Sequence, residues 1–190
     1  RAGASARGAD AADGTARDSA RELIAGMKPQ WRPATNPDLD AIQRIAGHIH
    51  PELSERAEVF AEKLALFAEG CLVLARDATI FGYAFSHPWH LKRVPPLDTL
   101  LHALPPAPEC LFVHDVAVLP EARGHGAAAM LVAILTRIAK KHDLPRLALV
   151  SVYGSDVLWS AQGFKSAPDK ALRAALAPYG ESAKYMIRRL

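Results

Sequence analysis

The residues best suited to chemistry lie in one stretch, where an apolar segment leads into a glycine-rich turn. Asp115 interrupts the apolar segment, and after Pro120 the chain reads Arg123-Gly124-His125-Gly126-Ala127-Ala128 before a long helical pattern. Glycine and alanine allow a ligand to approach the backbone closely, and the N–H groups in the first turn of a helix attract anions. Because Arg123 adds a fixed positive charge, the pattern favours a pyrophosphate over a single carboxylate.

This turn differs from two common phosphate-binding loops. A Walker A loop would continue with Gly-Lys-Ser or Gly-Lys-Thr, and a dinucleotide-binding turn would have three glycines at fixed spacing, but neither pattern is present. A glycine turn between a strand and a helix also occurs in purely structural connections. The turn alone therefore indicates an anion site only weakly.

Hydrophobic periodicity predicts the elements that would position the turn. Strands are predicted at 31–35, 71–75, 80–85, 111–118, 146–152 and 184–189, with a hairpin turn at 77–79. Helices are predicted over 39–49, over a segment capped by Ser54 and ended by Gly70, and over 126–141, 155–162 and 169–176.

A long proline-rich segment interrupts this pattern. Residues 87–109 contain six of the 14 prolines of the chain, together with Trp89 and three histidines. Loops of this length inside a compact domain tend to be functional, so the segment is predicted to form a wall on the substrate side. The alternative, a structural insertion that packs on the sheet edge, fits the sequence equally well.

Composition limits the kinds of partner. The 190 residues are 50% hydrophobic with a formal net charge of +3, which suits one compact domain and is too small an excess for a nucleic-acid footprint. The longest apolar run is far shorter than the roughly 20 residues of a membrane-spanning helix, so no membrane partner is predicted. Cys71 and Cys110 match no metal-ligand pattern and are predicted to be buried free thiols in a cytoplasmic protein.

The beginning of the chain has a different composition. Residues 1–26 are rich in alanine, glycine and arginine, with hardly any large apolar residue before Leu23, and are predicted to be a disordered or tag-like segment. Residues 27–190 are predicted to form a single domain.

Three motifs in register resemble the GCN5-related N-acetyltransferases. Arg123, Gly126 and Ala128 fill the pattern of the pyrophosphate loop of that family, which is Gln or Arg, two residues, Gly, one residue, and Gly or Ala. The segment 115–121 looks like the family's fourth strand. Leu158-Trp159 followed by Gly163-Phe164 is similar to its terminal helix motif, and the resemblance covers about 160 of the 190 residues.

The resemblance implies a fold and a co-substrate. The fold would be of mixed α/β (α+β) class, with a mostly antiparallel central sheet that is splayed between strands 4 and 5 and flanked by helices. The co-substrate would be acetyl-CoA, and no metal would be needed. Its pantetheine arm would pair with the backbone of Val116, Ala117 and Val118, and its pyrophosphate would bind to Arg123, Gly124, His125, Gly126, Ala127 and Ala128.

Acetyl transfer requires a neutral amine, so a base should stand on the fourth strand. Asp115 is the first candidate, although it also fits a structural carboxylate. His114 should point to the opposite face by strand alternation unless a bulge shifts the register. The tyrosine that usually serves as general acid in the family is replaced by Trp159, so either the CoA thiolate leaves without full protonation or Ser155 or Tyr153 substitutes as the acid. Tyr153 is interpreted as a packing residue at a strand end.

Two functions follow from the resemblance. The first is an acetyl-CoA-dependent N-acetyltransferase in which a primary amine, on a small molecule or a peptide, attacks directly. The alternative is a module that binds acyl-CoA without catalysis, which Trp159 favours. The sequence predicts no nucleic-acid partner and a monomer or homodimer, but it does not specify the acceptor.

Overall fold

One seven-stranded sheet organises residues 28–190, which are the residues that the structure, a computed structural model, describes. The predicted tail at 1–26 lies outside them. The strands are β1 (Gln30–Pro33), β2 (Cys71–Arg76), β3 (Thr79–Trp89), β4 (Cys110–Val118), β5 (Arg146–Ser151), β6 (Lys165–Ser166) and β7 (Lys184–Arg189). The helices are α1 (Leu39–Ile49), α2 (Ala57–Leu66), α3 (Ala127–Lys141), α4 (Asp156–Ala161) and α5 (Arg173–Leu176).

The strands lie in the order β1-β2-β3-β4-β5-β7-β6, and every neighbouring pair is antiparallel except β4 and β5. Strands β4 and β5 are parallel and pair only where Leu111–Val113 meets Leu147–Leu149. Beyond Val113, β4 continues without β5. The predicted mixed α/β fold, with a mostly antiparallel sheet and a gap between strands 4 and 5, is confirmed.

Apolar side chains cover both faces of the sheet. On one face Leu111 packs with Leu131 of α3, and on the other Val73 packs with Ile42 of α1 and Phe60 of α2. All five of these side chains are at most 1% exposed, so the sheet is held firmly between two helical layers. No helix within residues 28–190 is long and apolar enough to cross a membrane.

A β-bulge in β4 decides which side chains share a face. Phe85 pairs with Asp115 while the next residue, Ser86, pairs with Val113, so His114 is the extra residue. The bulge moves the register by one, and His114 and Asp115 both face the side of α1 and α2. The prediction of opposite faces from simple alternation is therefore wrong for these two residues.

Strand β3 is longer than predicted and includes Pro88. Strand β2 pairs with β3 only as far as Phe85, so beyond this residue β3 has β4 alone as a neighbour. A proline, which has no N–H, is tolerated at such an edge. The hairpin between β2 and β3 is present, with Asp77 in the left-handed conformation at φ +52°.

Helix α2 begins at Ala57 rather than after a cap by Ser54. The Arg56 N–H instead donates to the carboxylate of Asp98, 2.8 Å away, in the proline-rich segment. A distant carboxylate thus replaces the local cap, which no pattern around Ser54 could indicate.

Candidate functional site

A cleft of about 760 Å³ opens where the pairing of β4 and β5 ends. One part, called the loop end here, is lined by Val116–Val118 and the turn that leads into α3. The other part, called the polar end, is lined by His50, Glu55, His114, Asp115 and Tyr153. The two predicted regions, an anion-binding turn and a carboxylate on the fourth strand, therefore share one cleft.

The loop end presents backbone N–H groups in an open setting. Gly124 and Gly126 have φ angles of +76° and +78°, and Gly126 immediately precedes α3. A Cβ atom on either glycine would meet nothing within 4 Å. The Trp31 indole N–H donates to the Ala127 carbonyl at 2.8 Å and fixes the start of α3 against β1. The first turn of this 15-residue helix can therefore receive an anion.

Arg123 lies exposed beside this turn. Its Nε donates to the Val118 carbonyl at 2.9 Å, which holds the side chain near the end of β4. His125 is exposed and Ala128 is half-buried. The predicted residues of the turn thus combine an open backbone with one fixed positive charge.

Asp115 is held by two neighbours at the polar end. The Tyr83 hydroxyl donates to Oδ2 at 2.6 Å, and His50 Nε2 lies 3.4 Å from Oδ1. Burial raises the pKa of Asp115 above its ordinary value, although His50 and the Tyr83 hydrogen bond oppose this shift. A carboxylate with a raised pKa accepts a proton more readily than an exposed one.

His50, the residue after α1, also contacts the backbone of β4. Its Nε2 lies 3.2 Å from the Val116 carbonyl oxygen, and because a carbonyl only accepts hydrogen bonds, Nε2 must carry the hydrogen. Nδ1 is buried and has no partner among the described residues. The ring stacks on Tyr153 with centroids 5.7 Å apart. In this tautomer Nδ1 is a hydrogen-bond acceptor that stays unpaired within residues 28–190.

His114 belongs to a buried charged cluster behind Asp115. Its Nε2 lies 2.9 Å from Oε2 of Glu55, and Lys63 Nζ lies 3.6 Å from the same oxygen. Burial would raise the pKa of Glu55, but His114 and Lys63 outweigh it and the pKa is lowered. Burial lowers the pKa of Lys63, which Glu55 partly offsets. The cluster keeps Glu55 ionised at its position against His114.

The proline-rich segment forms part of the wall, with Leu97 lining the cleft. Two side chains of the α2 region hold it: Glu62 accepts from the N–H groups of Leu101 and His102 at 2.6 and 2.7 Å, and Glu55 accepts from the N–H of Asp98 at 3.1 Å. The segment is thus anchored to the α2 region and contributes Leu97 to the cleft, while its role as a wall on the substrate side stays a prediction.

The candidate acids occupy different environments. Ser155 lines the cleft, and its Oγ lies 3.1 Å from the Oγ of Ser151. Trp159 is 7% exposed and packs edge-on against Phe164. Tyr153 is 55% exposed, lines the cleft and stacks on His50, so it packs at the end of β5 and is also part of the cleft wall.

Sequence reasoning missed His50, Glu55 and Tyr179, which lies on the wall beside Leu97. No motif marks them, because they come from the ends of separate elements and only the fold brings them to β4. His87, one of the three histidines of the proline-rich segment, is 1% exposed beneath His114 and does not line the cleft. Burial lowers its pKa to about 3.

Residues 37–164 match the Acetyltransferase (GNAT) family. Because this match covers more than half of the chain, the protein belongs to that family. The resemblance inferred from the turn, the fourth strand and the terminal helix motif is confirmed. No curated protein shows significant sequence similarity to the chain.

Solved structures share the fold at low sequence identity. N-acetylglutamate synthase from Neisseria gonorrhoeae, complexed with coenzyme A and N-acetyl-glutamate, is 18% identical with a TM-score of 0.65, over 86% of this chain and 35% of that one. The chain thus spans about a third of that enzyme. The GNAT-like decarboxylase GphF in complex with isobutyryl-CoA is 15% identical with a TM-score of 0.68, over 84% of this chain and 98% of that one.

A third structure is the ribosomal-protein-S18-alanine N-acetyltransferase from Escherichia coli. It is 16% identical with a TM-score of 0.57, over 84% of this chain and 92% of that one. At these identities the similarity concerns the fold, and the chemistry has to be argued from the cleft itself.

Proposed function

We propose that the protein is an acetyl-CoA-dependent N-acetyltransferase that acetylates a primary amine by direct attack. The observation that carries this proposal is a single cleft that joins the open start of α3 to the half-buried carboxylate of Asp115. Coenzyme A or acyl-CoA in the first two structural neighbours supports the choice of co-substrate.

The loop end suits the anionic part of acetyl-CoA. Its pyrophosphate would bind to the N–H groups of the turn and first helical turn, with Arg123 beside them. The backbone of Val116–Val118, which β5 does not reach, would pair with the pantetheine arm as one strand pairs with another. Apart from the Arg123 side chain, these assignments use backbone groups, which suits the small residues Gly124, Gly126, Ala127 and Ala128.

The polar end suits acid–base chemistry. Asp115 would take the proton of the ammonium group, directly or through water, and the neutral amine nitrogen would then attack the thioester carbonyl carbon. A C–N bond forms, the C–S bond breaks, and CoA leaves as a thiolate, while the attacking nitrogen loses its second proton to water or to the departing thiolate and the product is a neutral amide. A backbone N–H near Val116 would stabilise the negative charge on the carbonyl oxygen.

The thiolate would be stabilised by a hydroxyl, because the indole of Trp159 is a poor proton donor. Ser155 lines the cleft close to Trp159 in the same helical region, and we assign it as the hydrogen-bond donor. Tyr153 is the alternative, since burial, Glu52 and Asp115 raise its pKa and keep its hydroxyl protonated.

The test combines calorimetry with an acetyl-transfer assay. The purified chain should bind acetyl-CoA and release CoA only when a suitable amine is present. Binding without transfer to any amine would instead favour a non-catalytic acyl-CoA-binding module, for which Trp159 is the supporting observation. Because one structural neighbour is a decarboxylase, carbon dioxide release from malonyl-CoA should be measured as well.

A further inference from the structure

The polar end of the cleft also carries information about the acceptor. We propose that the acceptor is a primary amine with an apolar carbon skeleton and no carboxylate, so that free amino acids are poor substrates. This inference rests on the proposed acetyl transfer and adds the chemical class of the molecule that receives the acetyl group.

The first argument is the sign of the charge around this end. Asp115 and Glu55 line it, although the charge of buried Glu55 is partly compensated by Lys63. Exposed Glu52 lies near enough to Tyr153 to raise the pKa of that phenol. Such a surface attracts an ammonium group and repels a carboxylate.

The second argument is the position of the cations. Among the residues described, the cleft is lined by one arginine, Arg123, and by no lysine, and Arg123 lies at the loop end. Lys63 is the ammonium group nearest to Glu55, but its side chain is 1% exposed and bound to that carboxylate. Arg56 makes an ion pair with Asp98 at 2.9 Å. A carboxylate on the acceptor would therefore lose its hydration without gaining an ion pair.

The third argument is the chemistry of the walls. Apolar and aromatic side chains from four separate segments surround the carboxylates: Ile49, Leu53, Leu97, Tyr153 and Tyr179. Leu53 and Leu97 are half-buried, which leaves part of each side chain available to a ligand. The Tyr179 hydroxyl donates to the Pro95 carbonyl at 3.1 Å, so its ring faces the cleft with the polar tip already bonded. Hydrocarbon groups of an acceptor would gain most from contact with these walls.

The experiment compares three acceptors that differ by one group: phenethylamine, L-phenylalaninamide and L-phenylalanine. The amide matches the carboxylate in size without its charge. We expect the full chain with acetyl-CoA to use phenethylamine and the amide with kcat/KM values at least about tenfold above that of phenylalanine. Comparable or faster acetylation of phenylalanine, or of glutamate, would overturn the acceptor class and leave acetyl transfer established. Acetyl-CoA binding without transfer to any of these amines would overturn the acceptor class, and absence of transfer across a wider panel of small-molecule and peptide amines would overturn the proposed function as well.

A variant that adds a positive charge to the wall tests the electrostatic cause. Leu53→Lys places a cation on the wall. We expect it to lower the ratio of kcat/KM for phenethylamine to kcat/KM for phenylalanine about tenfold, while Leu53→Met leaves this ratio unchanged. If Leu53→Lys does not fold, Leu97→Lys with Leu97→Met as its control replaces it. An unchanged ratio in a folded lysine variant would contradict the electrostatic explanation.

Discussion

Asp115 and His114 are adjacent in sequence and face the same side of the sheet, which an unbroken strand would not allow. The bulge therefore brings two ionisable groups into the cleft from one strand. They differ in their partners, because Asp115 is bonded to a tyrosine hydroxyl while His114 is paired with the ionised Glu55. Mutation can separate their roles.

If Asp115 is the base, Asp115→Asn should lower kcat by about 100-fold or more while acetyl-CoA affinity stays nearly unchanged. The pKa of Asp115 is raised above 3.8, so kcat/KM should begin to decrease on the acid side above pH 3.8. The decrease follows because a protonated Asp115 cannot accept the proton of the amine. Rates measured across pH, with calorimetry for the affinity, check both expectations.

His114→Gln is measured alongside Asp115→Asn, because His114 is the adjacent ionisable residue on the same face of β4. An Asp115→Asn protein that melts like the parent and turns over at the parental rate would remove Asp115 from the mechanism and direct the search to His114 or His50. Loss of stability together with both kinetic parameters would show a structural carboxylate instead.

Ser155→Ala should lower kcat about tenfold, the effect of losing one hydrogen bond to a charge that develops in the transition state. Tyr153→Phe keeps the ring that stacks on His50 and removes only the hydroxyl, so it serves as the comparison. A larger effect of Tyr153→Phe than of Ser155→Ala would assign the donor to the tyrosine. Stopped-flow measurement of CoA release distinguishes the two.

Among the secondary-structure elements, the start of α3 is the clearest to test, because Gly126 there has a left-handed backbone conformation and open space around it. Gly126→Val should weaken acetyl-CoA binding at least about tenfold, because a side chain there occupies the surface that a ligand must approach and strains the backbone at φ +78°. Gly180→Val is the control, since Gly180 also has a positive φ and open surroundings but does not line the cleft. Equal affinities of the two variants in calorimetry would contradict the assignment of the turn.

Asp38 holds the start of α1 in place. It accepts two hydrogen bonds from Arg32 at 2.8 Å and one from the Thr35 N–H. The Arg32 hydrogen bond is the main cause that lowers the pKa of Asp38 from 3.8 to about 2. A lowered pKa means that the ionised carboxylate stabilises the fold above pH 3.8, and that this contribution is lost as the pH falls toward 2.

Asp38→Asn should therefore lower the urea midpoint at pH 7, and the difference from the parent should shrink between pH 4 and pH 2, which about spans the two pKa values. Asp40→Asn, at an exposed acid in the first turn of α1, is the control with little expected effect. A difference that is constant with pH would show that Asp38 acts without its charge.

Some elements could be predicted from the sequence because their patterns are local. The apolar run of β4, the turn with its two glycines and the amphipathic α3 each have a local signature, and they carry the loop end of the cleft. The bulge at His114 has no such signature, because it follows from how β3 and β4 pair. The contribution of Asp98 to the start of α2 depends on a contact across 42 residues, which periodicity cannot indicate.

At the scale of the whole molecule, the composition of the first 26 residues predicts that the domain does not need them. Removing residues 1–26 should leave the melting temperature within error, because the segment has no core-forming pattern. Removing 184–190 provides the contrast, since β7 lies between β5 and β6 and its loss should prevent folding. Calorimetric melting of both truncated chains tests this, and a large decrease after the first deletion would show that the segment packs on the domain.

The brief pairing of β4 with β5 leaves the middle of the sheet weakly bonded, and only the edge pair of β6 and β7 has fewer paired residues. Three residue pairs join the part of the sheet that contains β1–β4 to the part that contains β5–β7. A pantetheine arm that pairs along Val116–Val118 would continue the hydrogen bonding of β4 beyond the point where β5 stops. The ligand would then occupy the place of a strand that the protein does not supply there. Amide hydrogens on both sides of the gap would then exchange with deuterium more slowly in the complex, even at residues that the ligand does not touch.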